Sequence, residues 1–214
     1  MHYGTMFWEE LVYSLIVLIF CSLIYIRTKE IYNLTRHKGI HYFRTAFLFL
    51  GFSYLGRFIL HLIMASLIAM DYFIPRGALF PITIVPVSYL STMAILFLTY
   101  GMEWKKLKIK NFNFYANVIS ILVAFTTLIL RSPIVLSLIQ LPLIIFILFI
   151  STKHYIQTKK KTSVLYFFVG LLWLISLFLI GPRKLIPSEI SLLLHIISIS
   201  VFIIIYYKVA KWTK

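Results

Sequence analysis

Carboxylates are scarce in this sequence: six acidic residues stand against 21 Lys and Arg residues in 214 positions, and Asp71 is the single aspartate. Charged residues of both signs reach only 13%, about half of what a water-soluble domain carries. So little polar surface cannot coat a globular core of this size, which excludes an ordinary cytosolic enzyme, and the apolar content excludes a disordered chain. The single cysteine, Cys21, excludes an internal disulfide and with it a disulfide-stapled secreted domain. Catalytic motifs are missing as well. The chain holds no H-E-x-x-H motif and no glycine-rich phosphate loop, and Glu9-Glu10 is not followed by the arginine of an E-E-x-x-x-R protease pattern. One aspartate cannot form an intramembrane aspartyl pair, no Ser–Lys pair falls within an apolar segment, and Lys208 lies too near the inner edge of the last span to carry retinal. No enzymatic activity, cofactor or metal is expected.

What the chain has instead is long apolar runs. Hydrophobic residues make up 61% of it, and an α-helix needs about 20 such residues to cross ~30 Å of hydrocarbon. Seven runs meet that length, at 8–26, 45–70, 82–101, 114–130, 133–150, 164–181 and 190–207. Arg131-Ser132-Pro133 is a turn signal that separates the fourth from the fifth. The expected fold is an all-α, seven-transmembrane helical bundle forming one integral membrane domain.

Basic residues decide the orientation, because short cytoplasmic loops are rich in Lys and Arg. Arg27, Lys29, Arg36, Lys38 and Arg44 flank the first loop, Lys105, Lys106, Lys108 and Lys110 the third, and Lys153, Lys159, Lys160 and Lys161 the fifth. With Lys208, Lys211 and Lys214 in the tail, one side holds 16 of the 21 Lys and Arg residues. The expectation is a multi-pass cell-membrane protein with its N-terminus outside and its C-terminus inside. Glu9, Glu10, Asp71 and Glu189 then fall at outer span ends, and Glu30 and Glu103 at inner ones. The segment before Trp8 lacks a basic n-region, so the first span reads as an uncleaved anchor. A net charge of +15 concentrated beside span ends points to anionic lipid head groups, at about 1 kcal/mol per basic residue near the surface, rather than to nucleic acid.

An internal echo accompanies this pattern. Tyr25-Ile26-Arg27-Thr28-Lys29 closes the first span and Tyr155-Ile156-Gln157-Thr158-Lys159 follows the fifth; Gly51 and Tyr54 in the second span have counterparts in Gly170 and Trp173 of the sixth. An offset of four spans preserves direction, which suggests a parallel 3+1+3 repeat of the kind found in some transporters.

Ionisable groups in hydrocarbon cost at least ~2.5 kcal/mol on insertion scales, so each is a functional candidate. Arg57 lies about halfway along the second span, His61 sits one turn further out on the same face, and Ser53 extends that face inward. Glu10, with Ser14 four residues on, should reach the same level and is the expected partner of Arg57. Ser188, Ser191, His195 and Ser198 form one stripe of the seventh span, which turns His195 toward protein. Ser88, Tyr89 and Thr92 follow Pro81 and Pro86 in the third span, and Gln140 precedes Pro142 in the fifth as a further candidate lining residue. Depth places Glu10, Arg57, His61, Tyr89, Glu189 and His195 together in the outer half, as a polar pocket open outward. The competing expectation is an Arg57–Glu10 ion pair that only fixes helix packing; metal or haem ligation by His61 and His195 is the weaker third.

Residues 25–58 carry a basic loop (Arg27-Thr28-Lys29 through Arg36-His37-Lys38), then Tyr42-Phe43-Arg44 and a Phe-rich span. This segment, about a sixth of the chain, resembles the loop and helix of prokaryotic seven-span sensor-type membrane modules. The resemblance implies a small receptor-like bundle and identifies no ligand. Such modules feed a cytoplasmic output domain; here the sequence ends at Lys214, so output is expected through a protein partner. The reading is a stand-alone seven-helix sensory or ligand-binding module. The alternatives are a small-solute transporter with 3+1+3 symmetry and a structural subunit of a membrane complex, the latter favoured by 17% aromatic residues.

Overall fold

The computed structural model describes residues 2–70, 76–159, 161–180 and 187–211. Among these residues every regular element is an α-helix: α1 (His2–Thr35), α2 (Lys38–Ala69), α3 (Arg76–Leu107), α4 (Phe112–Leu130), α5 (Pro133–Thr158), α6 (Lys161–Ile180) and α7 (Ser188–Ala210). Each of the seven is long and apolar enough to cross a membrane, which makes the chain a multi-pass membrane protein by length and composition.

Helices are the only open-ended backbone that satisfies its own hydrogen bonds in hydrocarbon. Many polar side chains of the spans follow the same rule. Ser22, Thr28, Thr99, Thr126, Thr127, Thr152 and Ser200 each donate their hydroxyl to the carbonyl four residues back. A hydroxyl so engaged costs little even where it faces outward. Pro81, Pro86 and Pro142 lie inside α3 and α5, and both helices run on past them.

The helices overshoot the apolar runs, most of all at one end of the bundle. α1 continues to Thr35 instead of stopping near residue 26, α2 starts at Lys38 instead of 45, α3 reaches Leu107 instead of 101, and α5 reaches Thr158 instead of 150. Apolar runs mark only the hydrocarbon-length portion, whereas Lys, Arg and Glu are good helix formers that extend the rod into water. The basic loop expected between the first two spans is thus a helical hairpin with only Arg36 and His37 as its turn. Arg36, Lys108, Arg131 and Lys159 adopt left-handed backbone just past helix ends, with φ of 50°, 40°, 47° and 49°. A cation there faces the negative pole of the helix dipole. α4 ends at Leu130 and α5 begins at Pro133, so the Arg-Ser-Pro signal is a turn as expected.

Packing runs in a closed circuit, α1 on α2, α2 on α3, α3 on α5, α5 on α6, α6 on α7 and α7 back on α1, while α4 lies against α3 and α5. Phe47, Leu98, Ile144, Leu165, Phe202 and Ile205 are fully enclosed in one shared core. Gln140 is also fully buried; its Nε2 donates to Ser91 Oγ at 2.9 Å and Thr92 Oγ1 at 3.0 Å, tying α5 to α3. Large apolar side chains such as Leu122, Phe125, Ile129 and Phe149 point outward, as a lipid-facing surface requires.

Two glycines set the helix spacing. A Cβ on Gly51 would lie 3.3 Å from Cys21 Cβ and 4.0 Å from a Leu18 methyl of α1; one on Gly170 would lie 2.9 Å from a Leu148 methyl of α5. Gly56 has nothing within 4 Å of such an atom. Gly170→Val should therefore destabilise the bundle by about 1–3 kcal/mol, whereas Gly56→Ala should be neutral or stabilise by up to ~1 kcal/mol. Unfolding midpoints of the purified variants in one detergent check both.

Candidate functional site

The site lies at the end of the bundle that holds the N-terminal half of α1. Residues 10, 13, 14 and 17 share one face of α1, and 54, 57 and 61 one face of α2, by helical periodicity. These faces meet the N-terminal part of α3 and the adjoining ends of α6 and α7 around a cavity of about 190 Å³ lined by Glu10, Tyr13, Tyr54, Arg57, His61 and His195. Ser14, Thr83, Ile84, Val87 and Leu179 complete its wall.

Two tyrosines make an aromatic wall. The Tyr13 hydroxyl bonds Ser198 Oγ at 2.7 Å, and its ring lies 4.4 Å from the His195 imidazole. The Tyr54 hydroxyl meets Ser176 Oγ at 3.3 Å, and its ring meets Tyr13 edge-on at 5.9 Å. These bonds tie α1 to α7 and α2 to α6. The Arg57 guanidinium lies over the Tyr54 ring, 5.0 Å from its centre, a cation–π contact that holds the charge at the cavity without neutralising it.

The remaining polar pair joins α1 to α2. His61 Nδ1 lies 2.7 Å from the Arg57 carbonyl oxygen, and His61 Nε2 lies 2.9 Å from Glu10 Oε2. A carbonyl only accepts, so Nδ1 carries a proton there. The second contact then holds one further proton, on Nε2 as imidazolium beside carboxylate or on Glu10 beside neutral imidazole. In either state the pair sums to zero charge. Among the described lining residues, with His195 neutral, Arg57 supplies the net charge of the cavity.

The structure brings Glu10, Arg57, His61 and His195 together as the spacing suggested, with His195 and Ser198 buried. It corrects three other expectations. Glu10 pairs with His61 and not with Arg57, because the imidazole one turn further along α2 meets the carboxylate first while the guanidinium turns back onto Tyr54. Tyr89 does not line the cavity; its hydroxyl is directed to Asn117 Oδ1 on α4. Gln140 is a core tie and not a lining residue. Glu189 is exposed at the start of α7, and Asp71 and the Ser188 side chain lie outside the described residues.

Sequence reasoning missed Tyr13 and Tyr54, although both sit one helical turn from an ionisable residue on the same face. It also missed a second polar cluster at the opposite, basic end, where buried Glu103 on α3 accepts from His154 Nε2 of α5 at 2.8 Å and from Lys106 at 3.1 Å. His154 was hidden because the helix carrying it extends eight residues past its apolar run.

If Glu10 and His61 are the bonded pair, a double-mutant cycle on Glu10→Gln and His61→Ala should return a coupling free energy of about 0.5–3 kcal/mol. The same cycle on Glu10→Gln and Arg57→Ala should return less, as read from unfolding in detergent.

Comparison with known proteins gives similarity without an activity. The chain is 29% identical over 209 residues to an uncharacterised protein of Archaeoglobus fulgidus, covering 94% of this chain and 91% of that one. No family model matches the chain. No solved structure matches it.

Proposed function

We propose that this chain is a seven-helix membrane module, set in the cell membrane with its N-terminus outside, that binds a small anion in the cavity around Arg57 and passes the signal to a protein partner. The observation that carries this reading is the self-neutralised Glu10–His61 pair, which leaves the guanidinium as the net charge of the lining. A cavity of about 190 Å³ falls below the ~300–1,000 Å³ of drug-sized sites. A ligand of a few heavy atoms, such as a short carboxylate, fits that space. The basic end would then face inward, against anionic head groups and the partner.

A second reading, transport of the same solute, is favoured by the helix circuit. Exchanging α1–α3 with α5–α7 turns the α1–α7 contact into the α5–α3 contact, and both contacts are present. Gly51 meets Leu18 and Gly170 meets Leu148 in the same relation, consistent with the 3+1+3 echo.

In neutral detergent, lactate at 100 times its Kd should stabilise the protein by about 2.7 kcal/mol against gluconate of equal ionic strength, which is too bulky for the cavity. Arg57→Ala should abolish that shift while the protein still inserts. Loss of folding in Arg57→Ala would assign the arginine to packing. Uptake of labelled lactate into proteoliposomes would select the transporter, since a sensor moves nothing.

A further inference from the structure

A larger cavity than the one around Arg57 lies at the other end of the bundle. It has a volume of about 680 Å³ and lies between the basic ends of α1, α2, α3, α5 and α6, inside the range of sites that enclose drug-sized ligands. Its walls are mostly apolar and aromatic, with Ile40, Phe43, Met102, Trp104 and Leu165 among them. Gly39 and Gly101 let α2 and α3 approach there; a Cβ on Gly39 would lie 3.2 Å from the Gly101 carbonyl oxygen, and one on Gly101 would lie 3.3 Å from the Tyr166 hydroxyl.

The charged groups of this cavity are unequal. Glu103 is engaged by His154 and Lys106. Lys105 lies over the Trp104 ring, its Nζ 5.6 Å from the ring centre, and His37 meets the same indole edge-on at 5.6 Å. Two lysines against one carboxylate, with the histidines neutral, leave an excess positive charge at the last turn of α3. Deeper in, the Tyr166 ring packs edge-on against Phe43 at 5.4 Å, and its hydroxyl makes no hydrogen bond to another described residue. Tyr166 is half-buried in the cavity wall, and its hydroxyl can donate to an acceptor that enters the cavity.

We propose that this cavity is a second binding site, for a water-borne organic anion with an apolar or aromatic body and a hydrogen-bond acceptor at its buried end. The anionic group sits at Lys105 and Lys106, the body lies against Phe43, Trp104 and Leu165, and the far acceptor takes the Tyr166 hydroxyl proton. The site is separate from the Arg57 cavity and shares no lining residue with it.

The probe is 4-nitrophenyl phosphate, whose nitro group quenches indole fluorescence on contact. Saturable quenching that disappears in Trp104→Phe is expected from the protein in bilayer discs of neutral lipid. Lys105→Gln should weaken the probe about tenfold and leave uncharged 4-nitroanisole unchanged. Tyr166→Phe should weaken the probe several-fold and leave competition by phenyl phosphate, which lacks the distal acceptor, unchanged. Unsaturable quenching overturns the site, as does equal affinity in wild type, Lys105→Gln and Tyr166→Phe. Quenching blocked by discs containing phosphatidylglycerol assigns the anion to a lipid head group and overturns a water-borne ligand. Arg57→Ala should leave the quenching intact, so this proposal and the reading of the Arg57 cavity fail independently.

Discussion

Hydrocarbon offers no hydrogen bond, and that constraint orders the whole molecule. Backbone groups are satisfied within each helix, and many hydroxyls of the spans, Thr28, Thr99 and Thr127 among them, return to their own helix's carbonyls. Polar side chains that cannot do so pair across helices, and those pairs hold the circuit together: Tyr13 with Ser198, Tyr54 with Ser176, Gln140 with Ser91 and Thr92. Carboxylates obey the same rule most strictly. Glu10 and Glu103 each meet an imidazole on another helix, because a buried charge without a counterpart would cost several kcal/mol.

The two ends of the bundle are built from the same chemistry to different scale. At the N-terminal end aromatic rings crowd a single guanidinium into a space fit for a few atoms. At the basic end glycines bring α2 and α3 together below a wider opening, and the lysines stand at its edge. Selectivity by size at one end and by shape and charge at the other follows from those linings.

Much of this was legible in the amino-acid pattern. The seven apolar runs located every helix, and the 3.6-residue period brought Arg57 and His61 onto one face and His195 onto the buried face of α7. Three things were not legible. Periodicity assigns faces but not rotamers, so it could not tell that the guanidinium turns back onto Tyr54 and leaves Glu10 to His61. A hydropathy criterion sees only the part of a helix in lipid, so the extensions of α1, α2, α3 and α5 read as loops, and His154 with them. Tyr89 failed for a third reason: depth along a helix says nothing about azimuth, and its side of α3 faces α4.

Arg36 and His37 alone join α1 to α2, and Arg36 already occupies left-handed backbone. So short a connection clamps the two helix ends and lets the hairpin open only as scissors pivoting there. Glu10 lies 26 residues from that pivot, roughly 40 Å along the rod, where a small angular change gives the widest parting. The carboxylate–imidazole bond therefore joins the two rods far from their turn, where a given angle separates them most.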